Sequence, residues 1–146
     1  MRVFRQRQSI IAAVILTSLA FSSSAFAAVT VDGLTYSVVS SARASSYGSG
    51  GSAMRAAGEF IVLRLTVKNA GKNSAEITTG DIHLTAGEDE FELSSASPPD
   101  LFESELRPGA SRTGTVVFDV PVNTAPSKYT LKVYGHLSGT SKTIHL

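Results

Sequence analysis

Three histidines, His83, His136 and His145, and an acidic run, Glu88, Asp89, Glu90 and Glu92, are the side chains here best suited to chemistry. Converging histidines bind zinc or copper. These three share no short ligand spacing, the chain has no cysteine, and Met54 is its only methionine after Met1. A calcium site takes six to eight oxygens from a bent loop. The acids instead sit on a hairpin that enters a strand, with Glu90 and Glu92 on one side and no Asp-x-Asp-x-Asp-Gly loop. They read as a solvated hairpin that discourages edge-to-edge pairing.

Nucleophilic and phosphate chemistry fare no better. Serine is abundant, but no Gly-x-Ser-x-Gly occurs, and Ser111 stands in a turn after Pro108-Gly109. The Gly-rich run from Tyr47 to Ser52 lacks the lysine and following helix of a phosphate loop. Paired carboxylates for glycoside chemistry must flank a cleft, for which a small domain has little room. The expectation is a chain with no catalytic residues, no cofactor and no metal. The competing expectation is a metal-handling protein, decided by whether the histidines or the acidic run come within ligand reach.

The first 27 residues carry a different message. Arg2, Arg5 and Arg7 precede an uncharged apolar run from Ser9 to Phe21, and Ala25-Phe26-Ala27 follows three serines. This is the layout of a secretory signal peptide, with cleavage expected between Ala27 and Ala28. The run is shorter than the roughly 20 apolar residues of a membrane span. No later segment could span, and without a cysteine no lipid anchor forms at the site. The mature chain, residues 28–146, has the size of one domain. Without disulfides, its core alone must hold it. The thirteen Lys and Arg lose Arg2, Arg5 and Arg7, leaving ten against twelve acids, a net charge of −2. Nucleic acid is therefore excluded as a partner.

The elements that would position any site are strands. Ile61, Leu63, Leu65 and Val67 alternate with Arg64, Thr66 and Lys68, the period of a half-buried strand. Similar alternation marks a first strand or strand pair broken near Asp32-Gly33, then Ile82 and Leu84, Phe91 and Leu93, Val116 to Val120, Tyr129 to Val133, and Ile144 and Leu146. About seven short strands separated by turns predict an all-β, antiparallel sandwich. Residues 44–57 read as a flexible loop, and residues 94–108 as a long crossing connection with one helical turn near Leu101 to Leu106.

The segments GEFIVLRLTVKNAGK, IHLTAGEDEFEL, LRPGASRTGTVVFDVP and YTLKVYG, in that order, resemble the telokin-like (immunoprotective extracellular) immunoglobulin-like domain of bacterial exported proteins and lipoproteins. The stretch from Pro108 to Pro121 carries the most specific part of the likeness. Gly87-Glu88-Asp89-Glu90-Phe91 departs from it, standing where an Asp-x-x-Gly-x-x-Tyr hairpin is common. The resemblance implies an immunoglobulin-like sandwich and no catalytic residues.

These readings converge on an exported, non-catalytic binding module, secreted or periplasmic. Sandwich domains recognise partners through loops held on rigid sheets. Tyr47 and Met54 in one irregular segment, and Leu101 and Phe102 in the other, are the apolar side chains that could anchor a partner. The alternative for Leu101 and Phe102 is that they cap the core beneath the connection. The partner is an envelope or extracellular protein, a glycan, or a second copy.

Overall fold

The computed structural model describes residues 26–122 and 128–146. Of the leader, only Phe26 and Ala27 fall within them.

Eight strands form two antiparallel sheets. The first sheet has the order β1 (Val29–Val31), β2 (Leu34–Tyr47), β3 (Met54–Asn69), β6 (Ser111–Val120). The second runs β5 (Asp89–Phe91), β4 (Ile82–Ala86), β7 (Tyr129–Tyr134), β8 (Ser141–His145). The fold is the antiparallel, immunoglobulin-like sandwich that the alternation predicts. Asp32 (φ 50°) and Gly33 (φ 80°) make the tight turn between β1 and β2. A two-residue hairpin with both residues at positive φ favours this Asp-Gly pair.

Alternation sorts the faces as expected. Leu63, Leu65 and Val67 of β3 and Val116 and Phe118 of β6 are fully buried. They meet Ile82, Leu84, Leu131, Val133 and Ile144 from the other sheet in a single apolar cluster. Phe91 and Leu93 are half-buried against it.

Residues 44–57 are not simply a loop. β2 continues to Tyr47 and β3 begins at Met54, with Tyr47 opposite Met54 and Ser46 opposite Arg55. The segment is mostly Ser, Gly and Ala, so its strand state comes from main-chain pairing and carries no apolar alternation. Between Ala44–Phe60 and Ser46–Arg55 the register slips, with one residue on β2 facing four on β3. The hairpin bends there. A straight β3 would carry Met54 roughly 26 Å beyond Val62, at about 3.3 Å per residue. Instead the Met54 sulfur lies 4.0 Å from Ser95 Oγ, beside the Val117 level of β6 that pairs with Val62. The tip of this arm therefore folds back. Phe60 and Val117 point away from the intersheet core yet are 1% and 0% exposed, as the fold-back requires.

The connection from β5 to β6 behaves as a crossing segment, but without the expected helical turn. Turns carry it past Pro99 and Leu101, and Leu106 pairs with Ala75 through two main-chain hydrogen bonds of 2.7 and 3.0 Å. Its first part covers the free edge of β6: the Ser94 amide donates to Val117 O, and Ser97 Oγ both donates to Val117 O and accepts from Val117 N.

Candidate functional site

Of the four proposed anchors, three lie at the surface. Leu101 does not: it is fully buried, against Gly114, where an added Cβ would sit 2.9 Å from the Leu101 Cβ. The bend of the connection turns Leu101 inward, so the core-capping alternative holds for it. Phe102 is half-buried and packs on the same cluster with one side. Met54 is 40% exposed on the folded-back arm, and Tyr47 is half-buried opposite it.

Two recesses meet along this flank. One, of about 350 Å³, is lined by Thr79, Leu93, Ser95, Pro98, Pro99 and Phe102 among others. Its neighbour, about 160 Å³, shares Thr79 and Leu93 and adds Gly80, His83 and Glu92. The larger groove has an apolar wall and a hydroxyl rim, with Ser95 linking it to Met54. In the sequence Pro98 and Pro99 mark only the crossing connection, and with Ser95 they are not among its candidate contact residues, although a Pro-Pro pair three residues before an aromatic was visible.

The stretch of chain that supplies this flank is acidic in sequence. Residues 73–106 hold nine of the twelve acids and no Lys or Arg. A single-sign stretch of this kind attracts partners of opposite charge and resists stacking on itself. The asymmetry was readable in the sequence, but the low net charge conceals it.

On the outer face of the second sheet, His83 of β4 lies opposite Lys132 of β7. The Tyr134 hydroxyl donates to Glu90 Oε1 at 2.8 Å, and Lys132 Nζ lies 3.4 Å from Oε2. His83 Nε2 donates to Gly80 O at 2.9 Å, while Nδ1 lies 2.9 Å from Glu90 Oε1 without hydrogen-bond alignment. The Tyr134 hydroxyl, then the Lys132 and His83 charges, hold the Glu90 carboxyl below its usual range. The Tyr134 hydroxyl, followed by Glu90, raises Lys132. The acidic hairpin is thus partly knitted into the sheet.

The three histidines stay apart in function. His83 serves Glu90 and Gly80, His136 Nδ1 lies 3.4 Å from Asp81 Oδ2, and His145 Nδ1 is 3.4 Å from Thr130 Oγ1. Among the described residues no three His, Asp or Glu side chains gather closely enough to hold a metal ion.

At the end where β1 turns into β2, one carboxylate and one amide tie loops together. Asp32 Oδ2 accepts from the amides of Leu137 and Ser138. The Ser138 side chain, then its amide and that of Leu137, hold the Asp32 carboxyl below its ordinary value. Asn69, 1% exposed, donates to Asn73 O and Leu106 O and accepts from the Gly71 amide. Burial, followed by the Asp81 and Asp32 charges, drives the Tyr36 phenol well up.

The fold is a two-sheet antiparallel sandwich with a grooved flank. The chain belongs to the family described as Domain of unknown function (DUF4352), whose profile matches residues 22–143. The yjhA protein of Bacillus subtilis has a similar structure, with a TM-score of 0.63 and 15% identity over 80% of this chain and 94% of that one. A functionally unknown protein of Listeria monocytogenes gives a TM-score of 0.59 and 13% identity, over 86% and 84% of the two chains. The ycdA protein of Bacillus subtilis, named as a candidate lipoprotein, gives 0.57 and 20%, covering 80% of this chain and 37% of that one. At these identities the likeness establishes the fold alone. No curated protein matches the chain in sequence.

Proposed function

We propose that this chain is an exported, non-catalytic interaction module of the cell envelope or extracellular space, of the telokin-like kind. Its partner docks on the flank formed by the crossing connection and the folded-back arm. The observation that carries this reading is the groove of about 350 Å³ between Phe102, Pro98, Pro99 and Ser95, with Met54 at its lip. An aromatic and prolines offer contact area at low entropic cost, and hydroxyls offer adaptable hydrogen bonds. Glu92 lines the adjoining recess, and the stretch that supplies both recesses, residues 73–106, holds nine acids and no Lys or Arg, which favours a cationic protein surface over an anionic polymer. Export is supported by the leader pattern and by the candidate-lipoprotein description of ycdA. The non-catalytic reading rests on the motifs that the sequence lacks.

Photocrosslinking in the native envelope tests the site. A photoreactive residue at Met54 or Phe102 is expected to yield one shared adduct that weakens with salt. The same probe at Leu137, exposed in the turn after β7, is the control. Equal labelling from all three positions, or none from Met54 and Phe102, overturns the assignment.

A further inference from the structure

Met54 is the only sulfur-bearing side chain of the processed chain, which has no cysteine and loses Met1 with the leader. Peroxides attack thiols and thioethers ahead of other side chains, so such an oxidant meets one target on this domain. The surroundings leave that target open. Met54 is 40% exposed and stands outside the apolar cluster between the sheets. Its neighbours along the arm, residues 50–53 and 55–57, are glycines, a serine, alanines and an arginine.

The sulfur also faces a fixed donor. Tyr47 pairs with Met54 across the arm, so main-chain pairing sets where the side chain starts. Opposite stands Ser95, on the part of the connection that Ser94 and Ser97 hold to β6. Ser95 Oγ lies 4.0 Å from Met54 Sδ, and a thioether is a weak acceptor. The gap suits one more atom. An oxygen bonded to the sulfur at about 1.5 Å leaves about 2.5–2.8 Å to the hydroxyl, the span of an ordinary O–H···O hydrogen bond.

We propose that Met54 is a site of oxidation by hydroperoxides, and that its sulfoxide, accepting from Ser95 Oγ, fastens the arm more firmly than the thioether does. The sulfur lone pair attacks one peroxide oxygen, and the S–O bond forms as the O–O bond breaks. The proton on the transferred oxygen passes to the departing hydroxide, giving sulfoxide and water. Sulfur loses two electrons and the peroxide gains them. Methionine oxidation loosens a protein when it puts a polar group into a core. Here the sulfur lies outside the core, so the new oxygen disturbs no apolar packing and gains a hydrogen bond. The proposal concerns the arm alone and does not depend on what docks in the groove.

The test is treatment of the processed chain with hydrogen peroxide, followed by mass measurement and limited trypsin digestion. Native protein is expected to take up one oxygen, which peptide mapping places on Met54. Cleavage after Arg55 requires the arm to open. The oxidised chain should be cut there at least about threefold more slowly than the reduced one, as one added hydrogen bond implies. Ser95→Ala should still take up the oxygen yet lose the slowing, which separates the hydrogen bond from any direct effect of a sulfoxide beside the cleaved bond. Met54→Leu should take up no oxygen and be cut alike with and without peroxide. Oxidation that occurs only after unfolding in urea overturns the proposal. So does a wild type that is cut equally fast or faster once oxidised, or a slowing that Ser95→Ala retains.

Discussion

Where β1 turns into β2, polar side chains stitch four loops together: Asp32 reaches the turn after β7, and Asn69 reaches Asn73 and the end of the crossing connection. At the opposite end, where the arm leaves the sandwich, Asp119 holds the amides of Ala57 and Gly58 at 2.7 and 3.0 Å, while the tip meets the rest of the molecule at Met54 and Ser95. Both ends use one side chain to hold several main-chain groups. They differ in what is left over. The stitched end buries Asn69, whereas the arm end keeps an exposed methionine beside a groove. One end fixes the frame, and the other gains surface from what the frame makes rigid.

Asn69→Ala should strike hardest. It leaves the Leu106 and Asn73 carbonyls without their donor and the Gly71 amide without its acceptor, at a cost of about 3 kcal/mol. Urea unfolding measures it, and a loss below about 1 kcal/mol would erase the contrast between the ends.

Gly58→Ala attacks the hinge of the arm. An added Cβ would lie 2.1 Å from Val120 O, a main-chain clash that only a shift of the hinge relieves. The expected cost is about 2 kcal/mol, with faster proteolysis at Arg55 as the arm lifts. Cleavage unchanged from wild type would show that the fold-back does not depend on Gly58.

Asp32→Asn keeps the shape of the tie and removes its charge. The folded carboxyl titrates below the ordinary 3.8, so its contribution is present above that pH and is lost as pH falls through the folded value. The wild type should melt above the variant at neutral pH, with the gap closing as pH drops below 3.8. A gap that is constant with pH would mean that the charge contributes nothing there.

Met54→Ser should matter least to stability, within about 0.5 kcal/mol, yet lower crosslinking from Phe102. A stability loss matching that of Gly58→Ala would make Met54 a structural clasp and not part of a contact surface.

How far the sequence spoke depended on where the structural information lay. β3 and β6 were legible because each alternates strictly over a long run, and burial of one face enforces that period. The arm was not. Its serines, glycines and alanines form strands because the neighbouring β3 main chain is there to pair with, and composition alone does not carry that. Leu101 and Phe102 are adjacent, and their opposite fates depend on Gly114, which makes room for one of them. The acidic flank was in plain view, but its meaning required knowing that residues 79–80 and 92–102 lie together.

The clasp on the arm also has a place in time. Asp119 lies 62 residues after Ala57 and 61 after Gly58. At synthesis rates of about 5–20 residues per second, the arm waits roughly 3–12 s for the carboxylate that pins it. Throughout that interval β6 is also unmade, so the nascent β2–β3 hairpin has an open side at β3 that the finished fold closes. A newborn chain therefore passes through a stage more prone to wrong pairings than its finished form, and a slow stretch of translation just before Asp119 would prolong it.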